Sequence, residues 1–600
     1  MIESVKKTIN CFFDSDGVRS AAVAWAAAFV VLFALNMLAW PVFAPSSLLH
    51  QDIVIAAGDA LLFSMPVWLL GRRWRWVQLV IVWVVALFLL ANVLYVRYWG
   101  DMIAFTLIFS ANSYNSVVVG AVPGLLQWSD SVYILLPVLL TDFWCLAHVD
   151  KAPVVPRQTK WLAAGVSVLG FALVYVVSGL FIRSYMRNST GNPDVPLSLA
   201  LESKIGASSN NAAHWHGNGL TVYIVNEIIE MYKARRITLS DEQRAQVDDY
   251  LSRHREYQAE PMAEFAANKD KNLIFVVVES LNSSIVGKTY DGRALTPVLD
   301  SLLTAQGTVS CLNVYPQIKG GGSSDGQLIY NTGLLPVNNG SAALNFGDNA
   351  YPSLAKSIGY KDNFEVIFEP GYIWNHNVTS RSYGYDRLVD NLDATGTGMD
   401  AAVFNKALQE IKKAPQPFFA EVVTLSMHFP YIDDAAPRYA WIDALPGLDK
   451  TTVNYLQTVH YFDACLGTFI QGLHNARVAD NSVVVLASDH SQIVSNRDLD
   501  PDNETSQPIV FMALNTGVTE SVSGPVSQSD VYPTVLQIMD KLPADGYRGL
   551  GMSILDARNT SARDGRGQMY GQSAAPLDKL KTDAFAVSDL MIRSDWFSTK

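Results

Sequence analysis

The chain has 600 residues, half of them apolar and 17% charged, with a formal net charge of −12 at neutral pH. That acidic balance, without any basic block able to neutralise a phosphate backbone, excludes a nucleic-acid partner and suits a divalent cation better than a polyanion. Length alone suggests three to five domains of about 150 residues, but the apolar excess lies almost wholly in the first 185 positions, so the chain reads as a membrane half followed by a soluble half.

Five segments reach the roughly 20 apolar residues that a bilayer core of about 30 Å requires. They lie at 20–43, 53–71, 75–99, 131–149 and 161–183, and the first is too long for a cleaved signal peptide. Lys6, Lys7 and Arg19 precede the first span; Arg72, Arg73 and Arg75 join the second and third; Lys151, Arg157 and Lys160 join the fourth and fifth. The loop 44–52 has no Lys or Arg. Excess Lys and Arg stay on the cytoplasmic side, which puts the amino terminus in the cytoplasm and everything after the fifth span outside. Residues 101–129 are apolar but broken by Asn112, Asn115, Gly120, Pro123 and Gly124, and are read as a helix in the outer interface. Asp59 and Asp142 fall within spans, where snorkelling or helix pairing accounts for an acid, and no site is assigned to them.

Residues 184–218 form a polar connector, in which His214 and His216 flank Trp215 as a wet surface pair. Leu220, Tyr223, Ile224, Ile228, Met231 and Tyr232 then recur at helical spacing, giving an amphipathic helix that rests on lipid headgroups or, more simply, packs on the soluble domain. Ser240 to Gln243 make a capping box for a further helix. The domains expected are a membrane domain at 1–186, a linker with amphipathic helices at 187–265 and an extracytoplasmic domain at 266–600.

In the soluble half, apolar runs at 273–278, 365–368, 418–425 and 482–487 alternate with helical patterns at 295–305, 352–358, 399–413 and 450–474. That rhythm predicts an α/β domain with a mostly parallel sheet between helices. Open sheets of this kind place ligands at the carboxyl ends of their strands. Glu279 ends the run KNLIFVVVES, where a carboxylate is costly to bury without a compensating cation. Asp489 and His490 follow VVVLAS side by side, a local arrangement that suits a metal ion. His428 follows the run at 418–425, placed to hold a phosphate oxygen or protonate a leaving group. In KGGGSSDGQ three glycines lead into Ser323 and Ser324 at a helix start, a setting for a nucleophile as well as for an ordinary N-cap. Glu279, Ser323, Asp489 and His490 together make a mixed oxygen and nitrogen site for manganese or magnesium, with zinc also admitted. The cysteines Cys11, Cys145, Cys311 and Cys465 match no metal or redox spacing and read as ordinary apolar residues.

These residues, behind five spans, resemble the lipoteichoic acid synthase family of the alkaline phosphatase and sulfatase superfamily. The likeness is carried by VES ending in Glu279, GGSSDGQ at 321–327, YPSLAKSIGY at 351–360, IWN at 373–375 with SYGYDRLVD at 382–390, LSMHFPY at 425–431, YFDACLG at 461–467, SDHS at 488–491 and SDVYPTVLQIMD at 529–540. The resemblance implies an alkaline phosphatase-like fold, metal ligation by Glu279, Ser323, Asp489 and His490, and Ser323 as nucleophile where the family has Thr. It also implies a pocket lined by His428 and Trp374. Three positions depart from the pattern: Gly322 stands in place of a Lys, Glu369 near a family His, and His376 in place of an Arg. Ser324 remains a conceivable nucleophile.

The function implied is metal-dependent transfer of phosphoglycerol from phosphatidylglycerol, a membrane phospholipid donor, to an envelope glycan or glycolipid acceptor through a covalent Ser323 intermediate. The setting is the outer face of a bacterial inner membrane, and the ion favoured is Mn²⁺. An acid at Glu369 favours a cationic headgroup, so a phosphoethanolamine transferase is the first alternative; a phosphodiesterase using water follows. A non-catalytic scaffold or receptor is the alternative of another class. Sulfate ester hydrolysis is disfavoured because Ser323 is not followed by the x-Pro-x-Arg of true sulfatases. The last 45 residues carry no assignment.

Overall fold

The structure, a computed structural model, describes residues 16–43, 50–71, 74–99, 102–103, 123–149, 155–190, 211–233, 236–290, 292–429, 431–491 and 507–598. Two compact units divide the chain between Glu230 and Met231. Most of the expected interfacial helix, residues 191–210 of the connector, and the basic flanks Lys6, Lys7, Arg72, Arg73 and Lys151 lie outside the described residues.

In the first unit, α1 (Asp16–Phe43), α2 (His50–Ser64), α3 (Trp76–Trp99), α4 (Val132–Leu146) and α5 (Arg157–Thr190) are the principal helices. Among the described residues five stretches are long and apolar enough to cross a membrane, as expected: Asp16–Val42, Asp52–Leu69, Trp76–Arg97, Trp128–Leu146 and Arg157–Leu180. Ala21, Ala24 and Ala28 bury one face of α1, while Val80, Val84 and Leu87 of α3 stay exposed. Small residues inward and branched ones outward is how spans pack closely against one another in lipid. Arg97 grips Asp130 with two hydrogen bonds of 2.6 and 2.9 Å.

Helix α6 (Asn211–Lys233), expected at lipid headgroups or on the soluble domain, belongs to this unit as far as Glu230, and it turns at Gly219, whose φ is 82°. There Asp59 accepts the backbone N–H of Leu220 at 2.7 Å and of Thr221 at 2.9 Å. A carboxylate at a helix start meets free N–H groups and the positive end of the dipole, so this intramembrane acid has a capping role. A Cβ at Gly219 would stand 2.6 Å from the Asp59 carboxylate. Trp215 lies 4.3 Å from Trp40, ring to ring, and the Tyr223 hydroxyl donates to the Ile103 carbonyl at 2.7 Å.

The second unit is built on one sheet. Its strands are β1 (Asn272–Val278), β2 (Val309–Tyr315), β3 (Asn363–Val366), β4 (Arg387–Val389), β5 (Phe419–Val423), β6 (Ser482–Ser488), β7 (Ile509–Leu514), β8 (Glu520–Val522) and β9 (Val526–Ser527). The order is β8-β2-β7-β6-β1-β5-β3-β4, with β9 also on β2. Only β7 runs against its neighbours β2 and β6, so the sheet is mostly parallel, as the sequence predicts. All seven residues of β1 are buried, and so are all seven of β6. Around the sheet stand α7 (Asp241–His254), α8 (Ser323–Thr332), α9 (His376–Tyr383), α10 (Met399–Ile411), α11 (Lys450–Asn475), α12 (Val531–Ile538) and α13 (Ala575–Arg593). The Ser240 and Gln243 capping box opens α7. The unassigned carboxyl end forms a hairpin of Ser561–Arg563 with Met569–Gly571, followed by α13, which sinks Leu580, Phe585 and Met591 into the core. Cys311 on β2 and Cys465 on α11 are buried free thiols.

Candidate active site and metal centre

The parallel register pairs Val278 of β1 with Ser488 of β6, so the next residues, Glu279 and Asp489, leave the sheet together. Ser280, at φ 51°, turns the chain sharply after β1. Its N–H donates to Asp489 Oδ1 at 2.9 Å, and its hydroxyl donates to Glu279 Oε1 at 2.6 Å. The His490 N–H also donates to Asp489 Oδ1, at 2.7 Å. His490 Nδ1 faces the Ser491 carbonyl at 2.8 Å, which fixes its proton there. The other ring nitrogen, Nε2, is thereby aimed at Ser323 Oγ at 3.1 Å, Glu279 Oε1 at 3.4 Å and Asp489 Oδ2 at 3.5 Å.

Ser323 is the first residue of α8, and its hydroxyl donates to Glu279 Oε2 at 3.2 Å. Ser324 points elsewhere: its hydroxyl is bonded to the Gly321 carbonyl at 2.7 Å and stands 3.2 Å from Ser341. The glycine turn before them is fastened by Asp325, whose Oδ2 takes the N–H groups of Lys319 and Gly321, each at 2.9 Å. Burial pushes the Asp325 carboxyl up to about 7. Gly322 adopts φ 54°, and a Cβ at Gly326 would come within 2.8 Å of the Asp489 carbonyl oxygen. The absence of a side chain at Gly326 is what lets α8 reach the Asp489 turn.

Glu279, Asp489 and His490 are buried, and each offers a ligand atom within 4.8 Å of the others. Burial opposes a charge on His490, yet Asp489 and Glu279 outweigh it and raise the imidazole. Burial and then Glu279 push Asp489 up to about 7. Two carboxylates, an imidazole nitrogen and a hydroxyl converging away from water fit a divalent cation, whose charge would offset this crowding of oxygens.

A second wall comes from the ends of β3 and β5. His428 is half-buried and meets the Phe429 carbonyl through Nδ1 at 2.8 Å; desolvation lowers its pKa, so it stands neutral. Burial raises Glu369 despite the opposing His428 and His376, while Glu279 raises it further, which sets Glu369 electrostatically between the histidines and the carboxylate cluster. Trp374 and Asn375 take φ of 49° and 62°, consecutive left-handed residues of the kind that concentrate at functional sites. His376 Nδ1 meets Glu365 Oε1 at 2.9 Å. Burial works against its charge, but Glu365 and then Glu369 hold the imidazole above its ordinary range.

The sequence analysis did not single out Glu365 and Glu421, which pair across β3 and β5. Glu421 accepts from Tyr385 at 2.7 Å and from Asn331 of α8 at 2.8 Å, so this network ties α8 to the strands below His376. An acid inside an otherwise apolar strand, as in EVIFEP and FFAEVV, is the signal that marks both. Ser280 and Asp325 also escaped notice, since one serine after a strand and one Asp in an N-terminal turn are ordinary in sequence.

The lipoteichoic acid synthase N-terminal domain matches residues 12–190, and the sulfatase domain matches residues 271–541. Together the two matches support a lipoteichoic acid synthase-like family of the alkaline phosphatase and sulfatase superfamily. Among its relatives, the lipoteichoic acid synthase of Staphylococcus saprophyticus is 25% identical over 524 residues, covering 83% of this chain and 77% of that protein. The enzyme of the same name from Staphylococcus aureus strain USA300 is 25% identical over 506 residues, covering 80% and 75%. The crystal structure of the lipoteichoic acid synthase LtaP from Listeria monocytogenes is 20% identical, covers 58% of this chain and 98% of its own, and has a TM-score of 0.49. The lipooligosaccharide phosphoethanolamine transferase A of Neisseria meningitidis is 14% identical, covers 86% and 95%, and has the same TM-score of 0.49. This lipoteichoic acid synthase-like protein is a multi-pass membrane enzyme, a phosphotransferase of the sulfatase superfamily.

Proposed function

We propose that the enzyme moves the phosphoglycerol headgroup of phosphatidylglycerol onto an envelope glycan or glycolipid, with Ser323 as the covalent carrier. The observation that carries this reading is the placement of the Ser323 hydroxyl 3.2 Å from Glu279 and 3.1 Å from His490, while Ser324 is bonded away from both. Glu279, Asp489, His490 and Ser323 would hold a divalent ion, Mn²⁺ by the carboxylate share of the set. When bound, that ion supplies Lewis acidity, favouring the serine alkoxide and neutralising phosphoryl charge.

In the first step Ser323 Oγ bonds to the donor phosphorus and the bond to the diacylglycerol oxygen breaks. In the second, an acceptor hydroxyl attacks the same phosphorus and Ser323 is released. The proton of Ser323 leaves with diacylglycerol, and the proton of the acceptor restores the serine. Neutral His428, with Nδ1 donating to Phe429, has a lone pair on Nε2 for carrying those protons. Trp374, Glu369 and His376 line the headgroup side. The basic flanks Arg19, Arg75, Arg157 and Lys160 support a cytoplasmic amino terminus and an extracytoplasmic catalytic domain.

A second reading, phosphoethanolamine transfer, is favoured by Glu369, an acid within electrostatic reach of both pocket histidines. The test is diacylglycerol release by the full-length enzyme from vesicles of either phospholipid. Phosphatidylglycerol is expected to be the better donor, with release abolished in Ser323→Ala and retained in Ser324→Ala. Preference for phosphatidylethanolamine would move the second reading ahead, and no release from either lipid would remove the transferase reading.

A further inference from the structure

Among the described residues from 236 to 598, the exposed large apolar side chains are Tyr372, 67% exposed, and Ile432, 50% exposed. Two exposed hydrophobics scattered over a domain would need no explanation. These two are not scattered. β3 and β5 are adjacent and parallel, with Val366 beside Val422, so the loops leaving their carboxyl ends emerge side by side. One loop carries Tyr372, two residues before Trp374; the other carries Ile432, four residues after His428. Both residues therefore lie on loops that leave the same end of the sheet as the loops of Trp374 and His428.

Their display is built into the backbone. Tyr431, at φ 63°, is a left-handed non-glycine residue, and its ring is buried against Phe429 at 5.4 Å and Tyr455 at 4.9 Å. Its N–H closes a turn onto the His428 carbonyl at 2.8 Å. The chain holds this unfavourable conformation, buries Tyr431 and leaves the following isoleucine in solvent. On the other loop the left-handed pair Trp374 and Asn375 directly follows the segment that exposes Tyr372, and Asn375 is pinned by a 2.8 Å bond to the Ala343 carbonyl. Left-handed conformations at bulky residues persist only where the surroundings over-determine them, and they gather at ligand clamps.

We infer that Tyr372 and Ile432 form an apolar lip that seats the acyl and glycerol-ester portion of a bilayer phospholipid while its phosphodiester enters the pocket at Ser323. The occupant follows from the chain itself. Five helices among the described residues are long and apolar enough to cross a membrane, so a bilayer is always the protein's neighbour. A phospholipid donor, on which this inference rests through the proposed function, must also bring an apolar part to the site's edge. Tyrosine is suited to such a position, with an apolar ring and a hydroxyl that prefers the headgroup level.

The test places the photocrosslinker p-benzoylphenylalanine in place of Tyr372 or Ile432 in the full-length protein, reconstituted in vesicles of phosphatidylglycerol and phosphatidylethanolamine. The control replaces exposed Gln471, which lies near the end of α11, the helix that leads to the amino end of β6 and so to the opposite ends of the parallel strands. After illumination, lipid adducts found by mass spectrometry are expected at 372 and 432 in severalfold excess over 471. Equal labelling at the three positions, or none at the rim, would overturn the lip. Crosslinking needs no turnover, so failure of the transferase reading shows separately, as absent diacylglycerol release in the unmodified enzyme. All three positions are solvent-exposed, so the replacements leave the core untouched; an unmodified unfolding temperature confirms it.

Discussion

Replacing Gly326 with alanine tests whether the closeness of α8 to the Asp489 turn sets the reactive geometry. The added Cβ would lie 2.8 Å from the Asp489 carbonyl oxygen, 2.9 Å from its Cβ and 3.0 Å from its Cα. None of these atoms can swing aside, because the turn is held by the Ser280 N–H on one side and by Gln528, which donates to the same carbonyl at 2.6 Å, on the other. Ordinary contact begins near 3.4 Å, so the helix and the turn must separate by about 0.6 Å. Ser323 lies one turn earlier on the same helix face. Carried with the helix, its hydroxyl would move from 3.2 Å to about 3.8 Å from Glu279, beyond hydrogen-bonding range. Overpacking of this size costs about 1–3 kcal/mol of stability, and a displacement approaching 1 Å costs on the order of 100-fold in rate. Gly326→Ala is therefore expected to release diacylglycerol roughly 10- to 100-fold more slowly while its unfolding transition stays cooperative. Gly524→Ala, where an added Cβ meets nothing within 4 Å, serves as the control. Activity of Gly326→Ala within about twofold of the unaltered enzyme would refute this account of the close approach.

Other consequences are open to measurement. Burial, with Glu365 adding, pushes Glu421 up to about 8, above an unfolded value near 4.3. The folded state then keeps a proton that the unfolded chain releases, so this group subtracts stability as pH climbs from about 4 towards 8. Glu421→Gln still accepts from Tyr385 and Asn331, and its thermal stability is expected to fall less between pH 5 and 8 than that of the unaltered protein; an equal or steeper fall contradicts the shift. A bound divalent ion at about 100 times its dissociation constant adds about 2.7 kcal/mol, so a chelator should lower the unfolding temperature. Asp489→Asn should lose that response, and a response that persists would place the ion elsewhere. Asp59→Ala uncaps Leu220 and Thr221 and is expected to cost about 0.5–2 kcal/mol in detergent or nanodiscs; an unchanged unfolding temperature would show that the cap contributes nothing.

What the sequence makes legible is what lies close to a strand end. Glu279, His428 and the Asp489–His490 pair each follow an apolar run, and a parallel sheet gathers such ends at one edge. Ser323 could be placed at a helix start, but its separation from Ser324 rests on a hydrogen bond to Gly321 that composition does not encode. Partnerships across the sheet were out of reach for a physical reason: Glu365 and Glu421 are 56 positions apart and meet only through the β3–β5 register. The cap on α6 is likewise non-local, since Asp59 and Leu220 lie 161 residues apart. Helix α13 was readable, with Leu577, Leu580, Ala584, Met591 and Ile592 buried along one face, yet the turn-rich hairpin before it obscures that periodicity.

The central claim is that Ser323 carries the headgroup. Intact-mass spectrometry of the full-length enzyme, quenched after mixing with Mn²⁺ and phosphatidylglycerol in the absence of acceptor, tests it most directly. A glycerol-phosphate adduct is expected that maps to the peptide of Ser323, is lost in Ser323→Ala and survives in Ser324→Ala. An adduct that persists in Ser323→Ala, or one that maps to another residue, would contradict it.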